Sequence, residues 1–481
     1  MQTQTRSRNQ PLWSKALAQP AIEFGPTQLA PLAGQIPPGL RGSLYRNGPG
    51  RLERGGQRVA HWFDGDGGIL AVHFGDTAAT GLYRYVQTQG YREEDQAGHY
   101  LYGGYGQLAS GPLWNRWLRP LKNAANTSVL ALPDRLLALW EGGNPHRLDL
   151  EDLSTKGLDD LEASLEGNQA YSAHPKRDPQ TGEFWNFGVA YQGATSTLNL
   201  YHSDATGRVI HKGKVSIEGA PLIHDFALCG RFLVFCVPPV MMQWAGLPLL
   251  LGLQSYSQTL QWQADQPTRI LIIDRDTLQL VAQAESEPWY QWHFSNGYEA
   301  ENGTLVVDLL RYPDFKTNEH LREVAEGETH TEATAQLWRL HLDLQTGKVL
   351  DRYALLDRPC EFAVVPPAQV GQQAEYTYLN LHPAGANPAQ ELFGAVGRVD
   401  LKTGDLQTAV CGAGLYPMEP IYAPDALNPN QGWIITVVFD GNQSQSEVWI
   451  YAADALAQGP ACRLALPQII PLGFHGTWRP R

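Results

Sequence analysis

The sequence predicts an all-β fold, a seven-bladed β-propeller whose axis is capped by loops and short helices. Three observations lead there. Short β-branched and aromatic runs recur along the chain between turn-forming residues. One hairpin turn, Asp-x-x-Thr-Gly, returns several times. Seven polar residues, each set among apolar neighbours, follow one another at separations of 33, 50, 69, 68, 58 and 56 residues.

The strand runs are residues 231–237 (RFLVFCV), 269–274 (RILIID), 304–310 (TLVVDLL), 432–439 (GWIITVVF) and 448–451. With 48 Gly and 33 Pro, the chain has little room for long helices, and only 158–165 and 318–325 read as short ones. The turn occurs from Asp178 to Gly182, Asp343 to Gly347 and Asp400 to Gly404, and shortened from Asp204 to Gly207. In it Asp caps the turn and Gly supplies a positive φ, joining two antiparallel strands. Hairpins repeated through a long β chain point to repeated four-stranded sheets, hence a propeller; a pair of large β-sandwiches is the alternative. At 481 residues the chain exceeds one ordinary core, but blades that pack only on their neighbours escape that limit. No linker interrupts it, so residues 1–20 are expected to be a loose arm and 21–481 a single domain.

Hydrophobic residues make up 43% and charged residues 18%, a globular balance. The formal net charge of −13 argues against a nucleic-acid partner, whose phosphates require a basic face. Five cysteines without a Cys-x-x-Cys pair fit a reducing compartment and offer no cysteine-built zinc site. Residues 1–9 are polar and basic with no apolar stretch, so the expected location is the cytoplasm. The run 236–253 (CVPPVMMQWAGLPLLLGL) carries no charge and is long enough to span a bilayer, yet its Pro and Gly residues would break a spanning helix. It reads as a surface patch dipping into one leaflet, with Trp244, Leu249, Leu250 and Leu251 as contacts; a buried loop packed on the propeller is the alternative.

There is no Gly-x-Ser-x-Gly elbow, His-Glu-x-x-His helix, P-loop or Gly-x-Gly-x-x-Gly. Among 14 histidines, four stand in apolar surroundings: His174 (YSAHPK), His224 (PLIHDF), His293 (YQWHFSN) and His475 (LGFHGTW). Glu141 (ALWEGG), Glu361 (PCEF) and Glu419 (PMEP) share the trait, and these are the seven evenly spaced residues. On seven blades that spacing gives one polar residue per blade. If the inner strands carry them, the side chains converge on the axis. Neutral imidazoles suit iron, zinc or copper, and four of them leave an octahedral metal two open positions. Buried glutamates are tolerable where each accepts the far ring N–H of a ligand. Separately hydrogen-bonded core histidines are the alternative.

The contexts resemble the carotenoid cleavage oxygenase family, over nearly the whole chain from about Gly39 to Trp478. Leu44-Tyr-Arg-Asn-Gly-Pro-Gly50, His61-Trp-Phe-Asp-Gly-Asp-Gly67, Lys122-Asn-Ala-Ala-Asn-Thr127, Trp140-Glu-Gly-Gly143, Arg358-Pro-Cys-Glu361 and His475-Gly-Thr-Trp478 match its motifs. The stretches 138–147 and 157–161 are most like its apocarotenoid-cleaving members. The resemblance implies that His174, His224, His293 and His475 bind iron(II), with Glu141, Glu361 and Glu419 orienting three of them. It implies that Thr127 holds its methyl near a vacant coordination site, and that Trp140 and Trp292 wall a substrate tunnel. Two departures, Gly68 where Met is expected and Trp292 where Phe is commoner, would alter the tunnel's width.

The activity implied is a non-haem iron dioxygenase that splits a conjugated C=C bond of an apolar apocarotenoid with O₂, giving two carbonyl products; retinal-forming 15,15′ cleavage is favoured. An apolar polyene lives in membranes, which gives the patch a purpose as a peripheral, monotopic contact beside the tunnel mouth. Two other readings stand beside it. One is a stilbenoid-cleaving oxygenase of the same fold, for which Tyr91 and Lys122 are available by type to activate a phenol. The other is a non-enzymatic propeller scaffold.

Overall fold

The computed structural model describes residues 10–167 and 169–481. Seven sheets form the ring. Blade 1 combines Phe24–Gln28, Ala79–Tyr85, Asp66–Phe74 and Gly42–Arg51 with the C-terminal strand Gly476–Pro480 at its inner edge. Blades 2 to 6 begin at their inner strands with Ser128–Ala131, Lys176–Arg177, Ala227–Cys229, Tyr290–Glu299 and Cys360–Val364. In blade 7, Gly432–Asp440 pairs inward with both Leu415–Pro417 and Ile421–Pro424, and outward the sheet ends on Pro31–Gly34 from the N-terminal region. Each end of the chain therefore completes a sheet begun by the other, which closes the ring without a covalent link.

The strands are apolar on both faces because each blade is sandwiched between two others. All six positions of Phe232–Val237 in blade 4 are buried. Leu233, Phe235 and Val237 pack with Trp185, Phe187 and Leu198 of blade 3, while Phe232, Val234 and Cys236 pack with Phe294, Leu305 and Val307 of blade 5. Outermost strands such as Val209–Glu218 are largely exposed.

The recurring Asp turns join adjacent strands as expected, with φ of 76°, 75° and 78° at Gly182, Gly347 and Gly404. Two further copies were hidden from the motif. At Asp149 and Asp274 the amide of the fifth residue bonds back to the Asp carbonyl, but that residue is leucine, Leu153 (φ 57°) or Leu278 (φ 54°). Both leucines are buried, so apolar burial offsets a backbone conformation that costs roughly 1–2 kcal/mol.

Four expectations need correction. The β-sandwich alternative falls to the ring of sheets. Residues 318–325 are helical within Thr317–Glu326, but 158–165 are not. There Asp159 and Asp160 accept the amides of Leu161 and Ala163, and Leu161, Glu162 and Ala163 take positive φ; short acids have outcompeted the helix for its own donors. The arm expected over 1–20 falls partly outside the described residues, but Leu12–Leu17 is a docked 3₁₀ helix with Trp13 fully buried and bonded to the Gln390 carbonyl. Gly68 stands in a strand of blade 1 where a Cβ would meet the Tyr83 hydroxyl, and it does not line the cavity described below. No described helix is long and apolar enough to cross a membrane.

Candidate metal centre

Four histidines converge where the inner strands begin. His174, His224 and His475 precede the inner strands of blades 3, 4 and 1, while His293 lies inside that of blade 5, where the register shifts between Gln291 and Phe294. One ring nitrogen from each lies within 4.8 Å of the others. The ring centroids of His174 are 4.4, 4.8 and 5.3 Å from those of His224, His475 and His293. Glu361 and Glu419 also come from inner strands; Glu419 occupies the break between the two short strands of blade 7. Glu141 does not: it follows the second strand of blade 2, whose inner-strand position is held by Thr127. The rule of one residue per blade holds, but not on inner strands alone.

Two of the acids bond directly. His293 Nδ1 donates to Glu361 Oε2 at 2.6 Å and His475 Nδ1 to Glu419 Oε1 at 2.8 Å. Those protons fix the tautomers and leave each Nε2 a lone pair aimed inward. His293 Nε2 has no hydrogen-bond partner among the described residues, and the Nε2 atoms of His174 and His224 face one another at 2.9 Å. Four ring nitrogens converging without a carboxylate or cation between them are a cradle for a metal ion, so these residues fit one. Glu141 is looser, with Oε1 3.4 Å from His224 Nδ1 and no hydrogen bond. Burial, then the mutual charge of neighbouring imidazoles, pushes His174 and His224 well below the usual imidazole range. Burial also lowers His293, but the Glu361 carboxylate outweighs it and the net direction is upward.

Several supports escaped the sequence reading. Tyr312 donates its hydroxyl to Glu361 Oε1 at 3.2 Å, and Arg46 donates to the carbonyls of Glu419 and Phe474, next to His475. Asp225, directly after His224, is held by Lys176 Nζ at 2.7 Å and by the amides of Phe226 and Phe294; its Oδ1 stands 4.0 Å from His174 Nδ1. An acid flanked by apolar residues in His224-Asp-Phe226 was the available signal. The signature motifs are braces: Asn47 bonds the carbonyls of Ala125 and Ser128, Asn126 those of Phe63 and Gly65, and Asp66 binds Lys122 and Arg54.

A cavity of about 440 Å³, lined mainly by aromatic and aliphatic side chains, reaches His224, His293 and His475 from the capped face. Thr127, Trp140, Glu141 and Trp292 line it, and Trp292 packs on the His224 ring at 4.8 Å. A second space of about 560 Å³ approaches His174, His293 and His475 from the opposite face. Lys122 and Tyr91 do not line the first cavity: Lys122 is locked between Asp66 at 2.8 Å and Glu94 at 2.9 Å, and Tyr91 stacks under Arg51 and Arg54.

The run 236–253 divides. Cys236, Val237, Val240 and Met242 are buried, as the buried-loop alternative had it, while the excursion beyond them projects outward, with Trp244 79%, Leu250 73% and Leu251 42% exposed. Leu249 turns into the cavity lining. A neighbouring helix, Leu113–Leu118, adds exposed Trp114 and Trp117, and Trp117 Nε1 bonds the Leu251 carbonyl at 2.7 Å. Arg116 and Arg119 interrupt the apolar run of this second segment and mask it in the sequence.

A family model described as retinal pigment epithelial membrane protein matches residues 17–480. The apocarotenoid-15,15′-oxygenase of Synechocystis sp. is 34% identical over 461 residues, 92% of this chain and 91% of that protein. Resveratrol cleavage oxygenase 1 of Aspergillus fumigatus is 27% identical over 482 residues, 92% of this chain and 91% of its own. Among solved structures, a cobalt-substituted Synechocystis apocarotenoid oxygenase superposes with a TM-score of 0.89 at 32% identity, covering 98% of both chains.

Proposed function

The chain belongs to the carotenoid cleavage oxygenase family, that of retinal pigment epithelial membrane protein, and on that premise we propose that it is an iron(II)-dependent dioxygenase cleaving one conjugated C=C bond of an apocarotenoid, with 15,15′ cleavage to retinal favoured. The observation that carries this reading is the meeting of four inward-facing imidazoles with a largely apolar, aromatic cavity. Overall, the C=C bond and the O–O bond break and two C=O bonds form, each product taking one oxygen atom; no other reductant is consumed.

His174, His224, His293 and His475 would hold the iron, which supplies activation of O₂ at a centre left fully cationic by four neutral ligands. The chain's own residues do the rest. Glu361 and Glu419 hold the Nδ1 protons of two ligands and so keep their lone pairs on the metal side. Trp140 and Trp292 form aromatic wall against which a flat polyene can lie, positioning one bond and excluding water. Thr127, on the blade 2 side, would present its methyl to a coordination position and restrict what binds there.

The same reading makes the apolar excursion a peripheral membrane contact through which substrate leaves lipid. Leu121 and Leu249 belong both to this region and to the cavity lining, which supports a mouth beside it. Phenol cleavage, the activity in the name of the Aspergillus relative, is less well served: no lysine lines the cavity among the described residues, and Lys122 is held in a buried ion network. The test is to load purified protein with iron, incubate it in air with a panel of apocarotenals and a stilbene, and identify the products. Retinal with its partner aldehyde is expected; cleavage of the stilbene alone, or of nothing, would overturn the proposal.

A further inference from the structure

Five tyrosines line the cavity that reaches the histidines: Tyr105, Tyr191, Tyr256, Tyr312 and Tyr416. Three have hydroxyls committed to other side chains, Tyr105 to Asn318, Tyr312 to Glu361 and Tyr416 to Glu391. The other two face each other, with Tyr191 and Tyr256 hydroxyls 2.9 Å apart. Tyr191 stands near the end of Phe184–Gln192, the second strand of blade 3, and lines the cavity. Tyr256 opens the short helix that follows the apolar excursion.

Proton accounting gives this pair a direction. Tyr191 donates to the Pro221 carbonyl at 3.3 Å, so the proton shared between the hydroxyls is Tyr256's. Both protons are then committed, and the Tyr256 oxygen offers lone pairs but no hydrogen. It suits a donor, an alcohol O–H, better than a carbonyl. A bond accepted there would also extend a polarised chain ending on Pro221, which strengthens each member. Burial pushes Tyr191 up to about 12 and Tyr256 well above the usual phenol range, so both stay neutral.

The pair is connected to the metal centre by a continuous aromatic wall. Ring centroids step from Tyr256 to Tyr105 (5.5 Å), to Phe63 (5.1 Å), to Trp292 (5.5 Å) and to the ligand His224 (4.8 Å), all of them lining the cavity. We propose that the Tyr191–Tyr256 pair anchors a hydroxyl on the terminal ring of the substrate, so that the anchor and the metal centre together select which double bond is cut. This rests on the polyene-cleaving reading above and adds to it a residue-level basis for regioselectivity.

The test compares three linear apocarotenals identical but for the terminal ring, which carries a hydroxyl, a ketone or neither. Binding to the iron-loaded protein is read under argon by quenching of tryptophan fluorescence, and products are then identified in air. The wild type should bind the hydroxylated compound roughly 3- to 10-fold more tightly than the unsubstituted one, the range a single net hydrogen bond supplies. In Tyr256→Phe that ratio should fall to about one and the hydroxylated compound should be cut at more than one position. Tyr191→Phe, which frees the Tyr256 proton, should shift preference toward the ketone. If all three compounds bind and are cleaved with ratios and positions unchanged in both variants, the anchor is wrong and the cleavage reading stands. If none binds or is cleaved, the cleavage reading itself fails, and the anchor with it.

Discussion

At the scale of single residues, the acids around the histidines are not equivalent, and their geometry ranks them. Glu361 and Glu419 each accept an imidazole proton at 2.6–2.8 Å and are fixed by a second donor, Tyr312 or the Gly476 amide. An amide accepts such a proton less strongly than a carboxylate, so Glu361→Gln and Glu419→Gln should each lower iron retention or turnover by roughly 10–100-fold without unfolding the chain. Glu141, at 3.4 Å, should tolerate the same change with a smaller loss. Metal content after dialysis, read beside kcat for all three variants, checks the order; an equal loss at Glu141 would mean that its contact tightens when the metal binds. The seven polar residues were legible in the sequence because a polar side chain among apolar neighbours is costly to bury without a purpose. Tyr312 and Arg46 were not, since tyrosine and arginine occur in many other roles and only the fold brings them to Glu361 and Glu419.

At the scale of elements, local chemistry was readable where one residue type is required and hidden where packing substitutes for it. Glycine at the fifth turn position announced itself, whereas Leu278 occupies the same left-handed conformation because its side chain is completely buried between blades. Leu278→Gly should relieve roughly 1–2 kcal/mol of backbone cost yet forfeit about 2–5 kcal/mol of core packing, for a net loss of stability. A lowered urea midpoint with an unchanged slope would show it, and a raised midpoint would refute the assignment. The apolar excursion likewise announced itself by composition, but its division into a buried strand and an exposed tip follows from how blade 4 is sandwiched. Replacing Trp244 and Leu250 with Ser, and leaving Leu249 in the cavity wall, should weaken flotation with neutral lipid vesicles while turnover of detergent-dispersed substrate changes much less. With a net charge of −13, the loss should be insensitive to salt; unchanged flotation would sink the membrane contact.

At the scale of the whole molecule, an ion held as proposed would act as a clasp. The four histidines come from blades 1, 3, 4 and 5, and blade 1 is itself closed by the strand that follows His475. Binding energy for the ion would then also be ring-closure energy: at an ion concentration of about 100 times Kd the folded state would gain roughly 2.7 kcal/mol. Removing iron with a chelator should lower Tm by a few degrees or more and return it on reloading, while His475→Ala should show the lower Tm with or without iron. A Tm indifferent to the ion in the wild type would mean that the ring holds its shape without the clasp.

The sequence by itself determined the blade architecture and singled out the four histidines that converge and the three acids beside them, because strand period, turn chemistry and the cost of burying polar groups are local properties that a linear reading can register. Only the tertiary structure decided which strand closes the ring, that Glu141 reaches the site from behind the inner strand, and that Asp66 and Glu94 withdraw Lys122 from the cavity. It also decided that two tyrosines 65 residues apart bring their hydroxyls together in the cavity wall. Those facts depend on contacts between blades distant in sequence, where the partner that fixes a side chain leaves no mark near the residue it fixes.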